Sequence, residues 1–246
     1  MDPATLVAIA VLMGLAAALY TSVGHAGASA YLAIMALFAV APETMRPTAL
    51  VLNIIVASLA TFRFARAGQI NWRLLLLCVA GAVPAAFVAG GATIPGHLYR
   101  PLVGVVLWIA AVRMFWPRRI AGAGQPRTPS PLLAVLAGAG VGALSGLTGT
   151  GGGIFLSPII LFAGWEGVRR TSGTAAGFIL CVSAAGLAGN LGSVGRLPAE
   201  LPWFALAVVL GALVGTRLGV SRLPAGRLLQ ALGAVLLIAG AKLIFT

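Results

Sequence analysis

Apolar residues fall into ten runs separated by short polar or glycine-rich breaks: 5–19, 28–41, 47–62, 74–94 and 98–115, then 132–147, 154–163, 172–191, 201–220 and 228–245. Most approach the ~20 residues a helix needs to cross a bilayer, and none alternates as a half-buried strand would. The pattern predicts an all-α polytopic membrane protein. Two breaks stand out because they interrupt oily sequence with glycine: residues 22–27, SVGHAG, and residues 147–154, LTGTGGGI. A continuous helix is the cheapest way to satisfy backbone polar groups in lipid, so each break costs stability and asks for a reason.

The runs repeat as two sets of five. The spacing E-x-x-R-x-T precedes the third run of each set, as Glu43, Arg46, Thr48 and as Glu166, Arg169, Thr171. The fifth runs align Gly104, Ile109, Ala110 and Arg113 with Gly233, Ile238, Ala239 and Lys242. The fourth align Gly81, Ala85 and Ala89 with Gly211, Gly215 and Gly219, a ridge of small residues that lets helix backbones approach closely. Two homologous units follow, 1–116 and 132–246, joined by a proline-, glycine- and arginine-rich linker at 117–131.

The chain has 246 residues, 60% of them hydrophobic, with mean hydropathy +1.06 and net charge +12. The arginines lie singly or in small groups between apolar runs and form no basic stripe with interleaved aromatics, so nucleic acid is excluded as a partner. Their distribution orients the chain instead. If the first two runs of each set form a pair, as two crossings or as a hairpin, one face collects twelve basic residues (Arg63, Arg66, Arg73, Arg113, Arg118, Arg119, Arg127, Arg169, Arg170, Arg217, Arg222 and Arg227) and the other four (Arg46, Arg100, Arg196 and Lys242). The positive-inside rule then places both termini outside and the linker in the cytoplasm. Each set has an odd number of crossings, three or five, so the second unit is inverted relative to the first, as in many secondary transporters.

The runs after the two breaks are too short to span ~30 Å of hydrocarbon at ~1.5 Å per residue. Each pair therefore reads as a glycine-tipped hairpin, one entering from each face, with the tips meeting inside the membrane. A short helix starts at each tip, and its unpaired N–H groups and positive dipole end suit an anion. The candidate binding residues are Ser22, Gly24, His25, Gly27 and Ser29 at the first tip, Thr148, Gly149, Thr150, Gly151, Gly152 and Gly153 at the second, and Asn53 one turn into the third run. Thr21 and Ser157 could add hydroxyl donors. Glycines that only permit tight turns, and hydroxyls bonded one turn back, are the plainer alternative. His25, the one ionisable group in either break, could couple transport to protons or be tied to a neighbouring carbonyl. Asn53 could line the cavity or hold helices together. Glu43 with Arg46 and Glu166 with Arg169 read as helix-start pairs.

Other chemistry is absent from the sequence. Lys242 is the only lysine, so no Walker-type phosphate loop exists, and Ile154 takes the last glycine position of a dinucleotide fingerprint. Two histidines, four acidic residues and two isolated cysteines make no nucleophile–base pair and no metal cluster, so the reading is no enzyme, no metal and no cofactor. Cys78 and Cys181 read as small buried hydrophobes. An uncoupled anion channel is the rival function, and the oligomeric state is left open.

The chain resembles the sulfite exporter TauE/SafE family of membrane transporters. The likeness rests on SGLTGTGGGIFLSP at 145–158 and on the loop that leads into RRTSGTAAG at 169–177, and it covers nearly the whole chain. The first copy, SVGHAGASAY, carries His25 and Ala26 where the family more often has glycine. The resemblance implies a transporter of sulfite or a small organosulfur anion in a bacterial-type inner membrane.

Overall fold

In the computed structural model, residues 2–92, 94–115, 127–221 and 226–245 are described. Among them the chain is all-helical: α1 Pro3–Thr21, α2 Ala28–Leu37, α3 Pro42–Arg66, α4 Trp72–Gly91, α5 Gly96–Phe115, α6 Pro131–Thr148, α7 Gly153–Phe162, α8 Val168–Ala188, α9 Leu201–Ser221 and α10 Gly226–Phe245, with a 3-10 segment at Leu191–Arg196. Most of the expected linker, 116–126, lies outside the described residues. Among the described residues six helices are long and apolar enough to cross a membrane: α1, α3, α4, α6, α8 and α9. Their outward sides carry bare apolar side chains, Val88 at 74%, Leu76 at 66% and Val7 at 61% exposure, which suits a lipid solvent and no aqueous one.

Local chemistry sets the helix ends. Asp2 caps α1 by accepting from the Thr5 amide, and hydrogen bonding from Thr5 holds the Asp2 carboxyl below its usual range. Asn71 caps α4 through the Leu74 amide. The short helices α2 and α7 end alike. Val40 N–H reaches back to the Met35 carbonyl around Ala39 at φ 55°, and Trp165 N–H to the Ile160 carbonyl around Gly164 at φ 66°. This closure stops α2 at Leu37, four residues short of the apolar run that predicts it. Conversely α3 starts at Pro42 and takes Pro47 inside, because Pro42 at the first helical position needs no N–H partner.

Small residues draw the long helices together. Gly138, Gly142 and Gly146 of α6 lie so close to Cys78, Ala82 and Ala86 of α4 that a methyl group on any of them would meet the opposite backbone carbonyl within 2.0–2.5 Å. Gly211 and Gly215 of α9 stand likewise against Gly14 and Ala18 of α1. The face of α4 against α6 thus takes in Gly81, the first residue of the ridge read from the repeat, whose Cβ would meet the Val135 carbonyl at 2.1 Å, together with Cys78, Ala82 and Ala86, while Gly90 packs on Gly186 of α8. Further pairs are α5 with α10, α3 with α8, α4 with α8 and α3 with α9. The helices α3 and α8 cross at the centre, and α2 is buried along Ala28 to Ala36.

Candidate functional site

Both breaks are largely buried, with Ser22, Val23, His25 and Leu147 half-buried, and they touch. His25 lies in the first, and its Nε2 stands 3.1 Å from the Gly153 carbonyl and 3.1 Å from Ser157 Oγ of α7. A carbonyl only accepts, so a hydrogen bond to Gly153 has Nε2–H as its donor. Tyr20 meets the same ring edge-on at 6.3 Å.

The backbone around this bridge supplies the chemistry. At the first break the amides of Ser22, Val23, Gly24 and His25 close turns onto carbonyls of α1. Those of Ala26, Gly27, Ala28, Ser29 and Ala30 meet no acceptor among the described residues. At the second break Gly149 N–H is bonded to the Ser145 carbonyl, and the amides of Thr150, Gly151, Gly152, Gly153 and Ile154 again meet none. All ten residues are buried. A buried N–H without a partner costs about 1–3 kcal/mol. Ten would cost on the order of 10–30 kcal/mol, which exceeds the ~5–15 kcal/mol that holds a typical chain folded. Their partners are therefore not among the described residues. Each set leads into a ten-residue helix, whose first-turn amides and dipole add partial positive charge.

The second break owes its shape to Gly151 and Gly152, at φ 75° and 73°. A Cβ on Gly151 would stand 2.1 Å from Asn53 Nδ2 and 3.2 Å from Ser183 Oγ, so the Asn53 side chain lies directly on the glycine backbone. Asn53 Nδ2 donates to Ser183 Oγ at 3.3 Å, while its Oδ1 is buried without a hydrogen bond.

The hydroxyls are otherwise committed. Thr21 donates to the Ala17 carbonyl at 2.7 Å, Ser22 to Leu19 at 2.7 Å and Thr148 to Leu144 at 2.8 Å. Thr150 stands 3.0 Å from Thr148, and Ser29 2.7 Å from Tyr20 Oη. Gly24 rests on Ser172 of α8, Gly27 on the Tyr31 ring and Gly149 on Arg46 of α3. Among the described residues no group of His, Cys, Asp and Glu could hold a metal.

The two E-x-x-R motifs do not form the helix-start pairs read from the sequence, and they are used in opposite senses. Arg46 turns inward, 7% exposed, and its guanidinium donates to the Ala89, Gly90 and Ala92 carbonyls that end α4, while Glu43 is exposed. In the second copy Glu166 turns inward, 8% exposed, accepting from Asn71 Nδ2 at 2.8 Å and lying 3.7 Å from Arg170, while Arg169 is exposed. Tyr99 and Ser183 were not among the residues singled out in the sequence, since one Tyr and one Ser within apolar helices carry no signature; Arg46 was, but as half of a helix-start pair and not as a cation on the end of α4.

A bundle with six candidate spans among the described residues and a lipid-facing apolar surface defines a multi-pass membrane protein. The profile of the sulfite exporter TauE/SafE family matches residues 7–243, so the chain belongs to that family. It is also 37% identical over 229 residues to "Probable membrane transporter protein y4hK" of Sinorhizobium fredii, covering 92% of this chain and 93% of that one. No solved structure matches it.

Proposed function

We propose that the protein is a secondary transporter of a small oxyanion, sulfite or an organosulfonate, which binds between the two breaks and is exposed to each side of the membrane in turn. The observation that carries this is the pair of amide runs, 26–30 and 150–154, linked by the His25 bridge. Neutral backbone donors suit a cargo that must leave as well as arrive, since a full buried charge would hold it too firmly. The family name supports a sulfur oxyanion.

In this reading each break is the tip of a hairpin, α1–α2 in unit 1–116 and α6–α7 in unit 132–246, and the units are inverted repeats. The helix contacts support it. Exchanging each helix of one set with its counterpart turns α4–α6 into α9–α1 and α4–α8 into α9–α3, and leaves α3–α8 and α5–α10 as themselves. The arginine distribution supports outward termini and a cytoplasmic linker at 117–131, and the family supports a bacterial-type inner membrane. His25 couples the cargo to protons, since its ring is the one ionisable group in the bridge.

Purified protein in proteoliposomes is expected to take up labelled sulfite saturably and faster with an inward proton gradient. Gly152→Val is expected to abolish that uptake, because the side chain would meet Val141 and Phe178 at a positive φ. Gradient-blind, non-saturating flux would make the protein a channel, and undiminished uptake by a monodisperse Gly152→Val protein would remove the second break from the pathway.

A further inference from the structure

A cavity of about 810 Å³ opens at one end of the molecule, between the starts of α3 and α5, the end of α4 and the 3-10 segment. Its polar lining includes Glu43, Arg46, Tyr99, Asn190, Ser193 and Arg196. Two arginines against one exposed carboxylate leave it positive. Arg46 is the unusual member. It is more than nine-tenths buried, its Nε has no hydrogen bond, and among the described residues no carboxylate pairs with it. The α4 carbonyls it holds carry only the fractional negative charge of a helix end, so most of the guanidinium charge is unneutralised.

The floor of this cavity is the back of the second break. Tyr99 Oη donates to the Thr148 carbonyl at 3.0 Å, and a Cβ on Gly149 would stand 3.1 Å from Arg46 Cγ. Two vestibule residues thus rest on the two positions that precede the amide run 150–154. At ~30 Å³ per water the cavity has room for a small oxyanion with most of its hydration shell. The amide run beyond it is buried and offers donors in place of water.

We infer that this cavity is a second anion site, a vestibule that gathers small oxyanions in hydrated form through Arg46 and Arg196, with Tyr99 and Arg46 forming the closed door between it and the amide run. The inference rests on the transport reading for what lies behind the door, while the vestibule's preference for anions stands on its own residues.

The test reads charge preference without transport. Thr44 lines the cavity. Thr44→Cys in the full-length detergent-solubilised protein is reacted with an anionic sulfonate methanethiosulfonate and with a cationic ammonium one. Each rate is corrected for the wild type with its native cysteines and normalised to a free small thiol. One unneutralised charge several Å away in a medium of intermediate dielectric favours the anionic reagent by roughly tenfold. Arg196→Gln is expected to cut that preference several-fold, and millimolar sulfite to slow the anionic reagent. Ser193→Cys repeats the measurement should Thr44→Cys not fold. A ratio at or below one, or one unchanged by Arg196→Gln, overturns the proposal. Should the preference hold while Gly152→Val still transports sulfite, the vestibule stands and the amide-run reading falls.

Discussion

Gly151 is where the smallest perturbation should have the largest consequence. Adding one methyl group there incurs two costs. A non-glycine residue at φ 75° costs roughly 1–2 kcal/mol. The new Cβ would stand 2.1 Å from Asn53 Nδ2, far inside ordinary contact, so the amide must swing away and give up its bond to Ser183, worth about 0.5–1.5 kcal/mol. Gly151→Ala should therefore destabilise the protein by about 2–3 kcal/mol and displace a group that lies on the proposed anion path. Denaturant unfolding of purified protein measures the first effect and sulfite uptake in proteoliposomes the second. Combining the change with Asn53→Ala separates them. The steric part of the loss should be relieved in the double variant, so the two changes cost less together than separately. Transport should stay low, since the Asn53 amide is then gone. A Gly151→Ala protein of normal stability and normal uptake would refute the reasoning at its root.

His25→Gln keeps a donor for the Gly153 carbonyl but removes the titration, so uptake should persist near neutral pH with a flattened pH dependence; Tyr20 is the other ionisable group against that ring. An unchanged pH profile would make His25 a tether only. Ala39 is exposed at φ 55° in the closure that Gly164 forms in the other half, so Ala39→Gly should raise stability by about 0.5–1 kcal/mol after the entropy cost of glycine, read as a higher denaturation midpoint. A midpoint that falls would show that the turn carries no strain.

All ten helices are legible in the sequence because apolar length and glycine punctuation are strong signals in a lipid solvent. Their register is less so. The repeat suggested a small-residue ridge at Gly81, Ala85 and Ala89, and Gly81 does meet α6 at the Val135 carbonyl, but the glycines of α6 lie against Cys78, Ala82 and Ala86. Gly and Ala are so common here that several ridges fit the pattern, and only the partner's glycines at 138, 142 and 146 select among them. The candidate site shows a related limit. Glycine marks where the chain breaks, but the amides without acceptors include those of Ala26, Ala28, Ala30 and Ile154, and a backbone N–H has no residue-type signature. Three of the hydroxyls that looked like donors spend their protons on carbonyls one turn back.

The opposite use of the two E-x-x-R motifs follows from where the helix ends find their cations. Arg46, at the start of α3, neutralises the end of α4. By the repeat, Arg169 at the start of α8 would do the same for α9, yet Arg169 is exposed, and it is Arg63, near the other end of α3, that reaches α9, donating to the Leu213 carbonyl at 2.8 Å and to Thr216. The inward place in the second motif falls to Glu166, which Asn71 and Arg170 hold. One end of the molecule therefore buries an unpaired cation beside the second break, and the other buries a carboxylate that accepts an amide bond and lies beside an arginine. The second end is no less basic for this, since Arg73, Arg127 and Arg170 line the pocket around Glu166, so the two ends differ in which charge is buried and not in the sign of their surroundings.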